Sequence, residues 1–411
     1  MDEYKGMPYL KRRLAVKRSR VQLRYRYYEM KNTVQDMGVS TPDNLKWLRE
    51  VLGWCSKGVD TLADRLVFRE FRDDNFGIND IVKVNNADIL FDNAVLSALI
   101  SSCCFIYIYP DEDGMPRLQV IDGSNATGDI DTVTGLLKEG YAVLKRDPDN
   151  DAPLMEAYFL PKKTVYYNLE KNTIREYTHP VEHPLLVPII NRPDAMRPFG
   201  HSRISRACME LQNGAVRTLK RAEITAEFYS FPQKYATGVS QEVEPMDKWK
   251  ATVSSMLVFE KDDEGDHPIL GQFQQQSVQP HLEQIRMLAS AFAGETGLTI
   301  EDLGFPQANP SSAEAIKASH NNLQLTARKA QRTFGSGFLN MGYLAACLRD
   351  DYAYKREVFY MTRPVWEPIF EPDAATLSLI GDGAIKINQA IPGYFGAENF
   401  RDLTGVKPSG E

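Results

Sequence analysis

The 411-residue sequence lacks the features that define several common protein classes. Its five cysteines include the adjacent pair Cys103 and Cys104 and form neither a disulfide framework nor paired metal-binding knuckles. Both residues lie in an apolar stretch, where burial as small hydrophobic side chains is expected. No apolar run is long enough to span a bilayer, and the amino terminus is charged rather than signal-like. These absences predict a protein of a reducing, cytoplasmic environment without membrane contact.

Motifs of catalysis are missing as well. There is no phosphate-binding Gly-x-x-x-x-Gly-Lys-Ser/Thr, and no Gly-x-Gly-x-x-Gly follows a predicted strand. His179 and His183 have the spacing of helical metal ligands, but Pro180 between them argues against a helix there. Ser202 follows His201 without the glycine-flanked turn of a nucleophile elbow. We therefore expect no cofactor, no metal and no enzymatic activity.

One acidic turn leaves a second interpretation open. It holds four carboxylates, on Asp262, Asp263, Glu264 and Asp266. A solvated turn is the simpler interpretation, but carboxylates in such a cluster also bind Mg²⁺. The alternative function is then a Mg-dependent DNA-processing enzyme.

Charge is distributed unevenly along the chain. The net charge is −7, yet residues 1–31 contain ten lysines and arginines against three acidic residues. The predicted basic arm, residues 1–26, includes Lys11, Arg12, Arg13, Lys17, Arg18 and Arg20. A helical, partly packed arm of this kind binds nucleic acid or an acidic protein, or is simply a solvated helix start. A DNA-binding protein with a basic arm is thus another alternative, although the acidic remainder disfavours tight phosphate binding.

Periodicity predicts a mixed α+β protein of two to four subdomains. Strand patterns between residues 104 and 177 indicate an antiparallel meander rather than a βαβ nucleotide-binding fold. A further strand is expected at 357–362. Helices are expected after the start signal at 40–43 and over 80–100, 203–229, 278–293, 373–391 and 398–403.

The longest predicted helix begins with the capping box formed by Ser311 and Glu314 and continues to Leu348. Its apolar stripe comprises Ile316, Leu323, Ala327, Ala330, Phe334 and Phe338. A polar, partly cationic face at the same spacing includes Lys317, Asn321, Gln324 and Arg328. Three glycines, at 335, 337 and 342, predict a bend or break in its second half.

Several weak motifs in order resemble the portal proteins of long-tailed bacteriophages. The resemblance covers residues 27 to 405. It is carried by Tyr27-Tyr28, by Trp54 with Val59-Asp60-x-Leu62-Ala63-x-Arg65-Leu66, by Val187-Pro188-Ile189-Ile190-Asn191, by Phe199-Gly200-His201-Ser202-Arg203-Ile204, by Pro310–Lys317 and by Trp366-Glu367-Pro368. In the portal family a Ser-Gly pair often stands where this sequence has Ser312-Ala313.

The resemblance implies a portal-like division of the chain. The parts would be a basic arm (1–26), a wing (27–199), stem helix 1 (200–231), a clip (232–276), stem helix 2 (277–297), a tunnel loop (298–312), a long bent helix with the wing return (313–372) and a short helical crown (373–411).

The resemblance also implies a function. Such proteins form a homo-oligomeric ring, a dodecamer, at one capsid vertex of the virion, where double-stranded DNA is packaged and ejected. Implied partners are the terminase large subunit, the head–tail adaptor, and the major capsid and scaffold proteins, with assembly in the host cytoplasm. The predicted channel residues are Phe305, Asn309, Lys317, Asn321, Gln324 and Arg328. The basic arm would contact scaffold, capsid or DNA.

Overall fold

The computed structural model describes residues 4–35, 47–230, 234–237, 269–272, 277–306, 319–370, 372 and 374–406. The helices in these ranges are α1 Met7–Tyr28, α2 Trp54–Ala63, α3 Ile78–Val84, α4 Ala87–Ser101, α5 Arg206–Ser230, α6 Gln279–Thr296, α7 Asn321–Arg349, α8 Ala374–Ala390 and α9 Ala397–Thr404. The strands are β1 Phe68–Arg72, β2 Cys103–Pro110, β3 Pro116–Ile121, β4 Ala126–Ile130, β5 Leu137–Arg146, β6 Pro153–Leu160, β7 Lys163–Asn168, β8 Thr173–Thr178, β9 Leu186–Ile190, β10 Lys234–Thr237, β11 Ile269–Gln272 and β12 Arg363–Trp366.

The larger sheet is the predicted meander. Strands β4 to β8 pair in sequence order, each antiparallel to the next. Alternating aromatic and β-branched residues produce this register, for example Tyr141 opposite Tyr158 and Tyr158 opposite Val165. Together with the helices, the sheet confirms the predicted α+β class.

A second sheet has the order β3-β2-β9 and lies in the core. Cys103 and Cys104 in its central strand are buried and unpaired, as predicted. Strand β9 pairs with β2 at the edge, with Pro188 opposite Phe105. An edge strand tolerates a proline because the backbone N–H groups on its outer side have no neighbouring strand to pair with.

Helix α7 is buried along the predicted stripe, with Leu323, Ala327, Ala330, Phe334 and Phe338 all inaccessible to solvent. It begins at Asn321 after a turn at His320, so the predicted helix is interrupted at that residue. The predicted start at Ser311 and Glu314, and Ile316 of the stripe, lie outside the described residues.

Of the bend or break expected at the three glycines of α7, the break does not occur, because the helix runs without interruption to Arg349. The glycines allow close packing instead. A β-carbon at 335 would lie 2.7 Å from Pro364 Cγ, one at 337 would lie 2.9 Å from Ile189 Cδ1, and one at 342 would lie 2.6 Å from Ile78 Cγ2. Removing the side chain lets the neighbouring elements approach the helix backbone.

Other boundaries differ from the prediction. The helix expected over 80–100 is two helices, because Asn86 adopts a left-handed φ of 51° and the Asn85 side chain bonds Ile81 O at 2.8 Å. Residues 48–53 are not helical, so the helix expected after 40–43 is described only from Trp54. The strand expected at 357–362 is a 3₁₀ turn, Arg356–Phe359, that buries Phe359.

The strand that does form nearby, β12, pairs with β1. The pair covers an aromatic cluster between α4 and α7. The Phe68 ring centroid lies 4.1 Å from that of Phe91 and 5.4 Å from that of Trp366, and Phe91 lies 4.5 Å from Phe338. Tilted and edge-to-face aromatic contacts of this kind join the first and last parts of the chain into one core.

Candidate functional site: helix pair, polar helix face and basic helix

Helices α5 and α6 form an antiparallel pair. Ser205 Oγ, just before α5, donates to Glu295 Oε1 at 3.0 Å, and Thr225 Oγ1 lies 3.2 Å from His281 Nε2 at the other end. Between these two contacts, a β-carbon on Gly214 would lie 3.5 Å from Leu288 Cδ1. The first residues of α5 therefore contact the last residues of α6, and the last described contacts of α5 are with the first residues of α6. The two helices lie side by side and run in opposite directions.

Buried polar groups join this pair to the rest of the molecule. The Arg203 guanidinium donates to Gly58 O at 3.1 Å and to Thr296 O, the last residue of α6, at 2.5 Å. Burial lowers the pKa of Arg203 to about 10, so it remains a cation at neutral pH. A cation at a helix carboxyl end is favoured by the helix dipole. No pattern in the sequence indicated that Arg203 is buried.

The buried face of α5 is itself polar near this junction. Gln212 Oε1 accepts the backbone N–H of Cys55 at 2.8 Å. The Tyr27 hydroxyl bonds the Asn213 side chain at 2.8 to 3.0 Å. The contact face of α5 is therefore not made of small and aliphatic residues alone.

Strands β10 and β11 lie beyond the far ends of the helix pair. They pair antiparallel, Lys234 opposite Gln272 and Thr237 opposite Ile269. The segment between them includes the acidic turn and lies outside the described residues, as does the strand expected at 256–260.

The predicted polar face of α7 is present where the structure describes it. Asn321 and Arg328 are exposed and Gln324 is half-buried, on the side opposite the buried stripe. Lys329 and Arg332 are also exposed and extend the cationic face, although the sequence analysis did not single them out. The predicted sites Asn309 and Lys317 lie outside the described residues.

Phe305 differs from the exposed residues of α7. It follows the 3₁₀ turn Glu301–Leu303, its N–H donates to Ile300 O at 3.2 Å, and its half-buried ring packs against the core. In this chain it lies where the loop leaves the core.

The basic segment forms helix α1, which is partly packed, as predicted, against the meander. Lys11 Nζ lies 2.5 Å from Glu156 Oε2, and Arg13 donates to Gly128 O at 3.0 Å. Lys17 Nζ lies 3.0 Å from Cys103 Sγ, and Arg18 is paired with Asp151. Arg12 and Arg20 are exposed, without an ion pair to any described residue.

Two buried glutamates that the sequence analysis missed hold this helix. Glu139 accepts the backbone N–H groups of Lys5 and Gly6 at 2.9 and 3.2 Å, and Glu156 accepts the Tyr141 hydroxyl at 2.8 Å. Burial and Glu156 raise the pKa of Tyr141. A signal was available: each glutamate stands two residues from a tyrosine on the same face of its strand.

The family model described as phage portal protein, SPP1 Gp6-like, matches residues 9–382. The chain belongs to the phage portal protein family. The portal protein of Mycobacterium phage D29 is 24% identical over 384 residues, which cover 88% of this chain and 77% of that protein. The portal protein of Mycobacterium phage L5 is 23% identical over 384 residues with the same coverage.

Solved structures give weaker matches. A chain from the virion of a native gene transfer agent particle and one from the neck of that particle computed with C12 symmetry each align with a TM-score of 0.45. Each is 12% identical, over 87% of this chain and 90% of that chain.

As a member of the portal family, the chain is a structural component of a phage virion. The histidines and the serine considered above as catalytic or metal-binding residues make other contacts in the described part of the chain. His201 Nε2 lies 2.6 Å from Asp194 Oδ2, while the buried Ser202 hydroxyl donates to Ile100 O at 2.6 Å. His179 is buried, and burial lowers its pKa to about 4.

Within the described ranges of this portal protein, no three His, Cys, Asp or Glu side chains are grouped as metal ligands. In the same ranges no helix is both long and apolar enough to cross a membrane.

Proposed function

We propose that this portal protein forms a closed ring of twelve copies at one capsid vertex, through which double-stranded DNA is packaged and later ejected. The match of the family model over residues 9–382 carries the proposal, since it spans every element from α1 into α8. In this proposal the protein is a conduit and not an enzyme.

The proposed division follows the sequence analysis. Residues 27–199 and 313–372 form the wing, 200–231 and 277–297 the stem, 232–276 the clip, 298–312 the tunnel loop and 373–411 the crown. The antiparallel α5–α6 pair and the β10–β11 strands at its far end support the stem and clip.

A ring of identical subunits needs two different contact surfaces on each copy. Large apolar side chains stand exposed on three of the helices. Leu282 and Met287 on α6 are 53% and 61% exposed, Leu325 on α7 is 55% exposed, and Leu379 on α8 is 71% exposed. Contacts between neighbouring copies would remove this apolar surface from water.

The channel residues in the proposal are Phe305, Asn309, Lys317, Asn321, Gln324 and Arg328. A conduit has to hold DNA weakly, because many phosphate contacts would trap the duplex. The exposed α7 face supports this role, since it combines neutral amides with a few cations on a chain whose net charge is −7.

The partners follow from the same proposal. The clip docks the terminase large subunit during packaging and the head–tail adaptor afterwards, while the wing and α1 meet the major capsid and scaffold proteins. Assembly takes place in the host cytoplasm.

Mass photometry and negative-stain microscopy of the purified chain test the proposal. We expect closed rings for the natural sequence and small species for Met287→Asp, because the charge would enter a subunit contact. Val133→Asp is the matched control, since Val133 is 90% exposed and lies in the β4–β5 turn rather than on α6, α7 or α8. A natural sequence that is monomeric at micromolar concentration would overturn the ring.

A further inference from the structure

A groove runs between α1 and the segment 196–200. It has a volume of about 870 Å³. Six cations line it: Arg12, Arg13, Lys17, Arg20, Arg24 and Arg197. Among the described residues that line this basic groove there is no aspartate or glutamate. In the described part of the chain, Asp129 is the one carboxylate paired with these cations, 3.9 Å from Arg13 Nη1, so the basic groove is a largely uncompensated positive surface on a chain with a net charge of −7.

The cations differ in how firmly they are placed. The Arg13 guanidinium and the Lys17 ammonium lie 5.1 and 5.5 Å from the ring centroid of Phe199, which fixes them at the floor of the groove. Arg12 and Arg20 are exposed and make no ion pair with a described residue. Burial, followed by the neighbouring cations Arg20 and Arg197, lowers the pKa of Arg24. Mutual repulsion of this kind is relieved when an anion binds.

The spacing of the cations fits an extended chain. Arg13, Lys17, Arg20 and Arg24 follow one face of α1 at steps of four, three and four residues. From Arg13 to Arg24 the eleven steps along the helix span about 16 Å, at about 1.5 Å per residue. An extended peptide covers the same length with about five residues.

Apolar side chains at the rim distinguish between two kinds of anion. Met196 is 89% exposed and Val16 is 63% exposed, and both line the groove. A duplex presents mainly charged phosphates along its backbone, whereas these two exposed side chains favour a ligand that combines anionic with apolar groups. A groove of this volume also suits a narrow ligand better than a duplex.

We propose that the basic groove is a docking site for an extended acidic segment of a partner protein that also carries apolar side chains. The glutamates or aspartates pair with Arg12 and Arg20 at the rim, and an apolar side chain packs on Met196. This site is separate from the proposed channel and requires no ring.

Fluorescence anisotropy on the full chain tests the docking site. The probe is a labelled eight-residue peptide of five glutamates and three leucines, and its analogue has serine in place of glutamate. We expect saturable binding of the acidic probe only. Arg12→Glu with Arg20→Glu weakens binding at least tenfold, because two rim charges are reversed. The matched control is Lys83→Glu with Lys171→Glu, two exposed lysines outside the groove, which changes binding less than twofold.

Three outcomes would overturn the proposal. They are failure of the natural sequence to bind the acidic probe, equal weakening by the control pair, and tighter, Arg12- and Arg20-dependent binding of a 20-base-pair duplex, which would make the groove a nucleic-acid surface. Circular dichroism shows whether each variant folds. Mass photometry on the same samples shows whether rings form, so the docking site and the ring can fail independently.

Discussion

Helices α1 and α7 are alike as sequences, since each combines an apolar stripe with a row of cations, yet the structure uses the two rows differently. On α1, Lys11 and Arg18 are paired with carboxylates of the meander. On α7, Arg328 and Arg332 are exposed and make no ion pair with a described residue. The comparison shows that cations on a basic helix can either form ion pairs within the subunit or remain exposed to solvent.

The extreme case of an internal cation is Arg203. Replacing it with alanine removes its two buried, charge-assisted hydrogen bonds, to Gly58 O and Thr296 O, so we expect Arg203→Ala to lower the free energy of unfolding by about 3 kcal/mol. Arg206→Ala, three residues on and exposed, is the control and should change it by less than about 0.5 kcal/mol. Urea denaturation followed by tryptophan fluorescence measures both. Equal losses in the two variants would show that the buried hydrogen bonds of Arg203 do not stabilise the fold.

His179 is a buried side chain that, unlike Arg203, is neutral in the folded protein at pH 7. Its pKa is lowered from 6.5 to about 4 by burial, so the unfolded chain takes up a proton first as the pH falls. Stability is therefore lost between pH 6.5 and 4. Between pH 7 and pH 5 the natural sequence should lose about 2 kcal/mol more than His179→Gln. Denaturation at the two pH values measures this difference, and identical pH dependence would contradict burial of the imidazole.

Neighbouring cations on α1 give the sharpest matched pair. Lys11→Met leaves Glu156 buried without its cation and should cost about 1.5 kcal/mol, a moderate value because the lysine is partly exposed. Arg12→Met removes an exposed charge and should leave the free energy of unfolding unchanged. If the two variants are equally stable, the anchoring of α1 by Glu156 is wrong.

The smallest effect is expected on α7. Arg328→Ala removes a side chain that contacts solvent, so the free energy of unfolding should change by less than about 0.5 kcal/mol. Thermal and urea unfolding measure the change. A loss above about 1 kcal/mol would mean that Arg328 makes stabilising contacts within the subunit, as Lys11 does on α1.

Local patterns were enough to predict much of the fold. The meander strands and the buried stripe of α7 follow from alternation and from helical spacing, both of which are properties of neighbouring residues. The division at Asn86 depends on one residue adopting a left-handed conformation, which a continuous apolar pattern conceals. The α7 glycines predicted a break because their packing partners, Pro364, Ile189 and Ile78, are distant in sequence.

The sites were harder to predict for the same reason. Whether a lysine is paired depends on contacts across the sequence: Lys11 and Glu156 are 145 residues apart, and Arg203 and Thr296 are 93 apart. Charge counting therefore identified α1 as basic but did not show which of its cations are bonded. The exposed residues of α7 needed only helical spacing, so Asn321 and Arg328 were placed correctly on its polar face.

Cryo-electron microscopy of the purified full chain tests the central claim most directly. We expect a closed ring whose axial opening admits a duplex, with Asn321 and Arg328 of every copy facing the axis. A map of a self-contained monomer, or of a ring in which these two residues face the outer rim, would contradict the proposal.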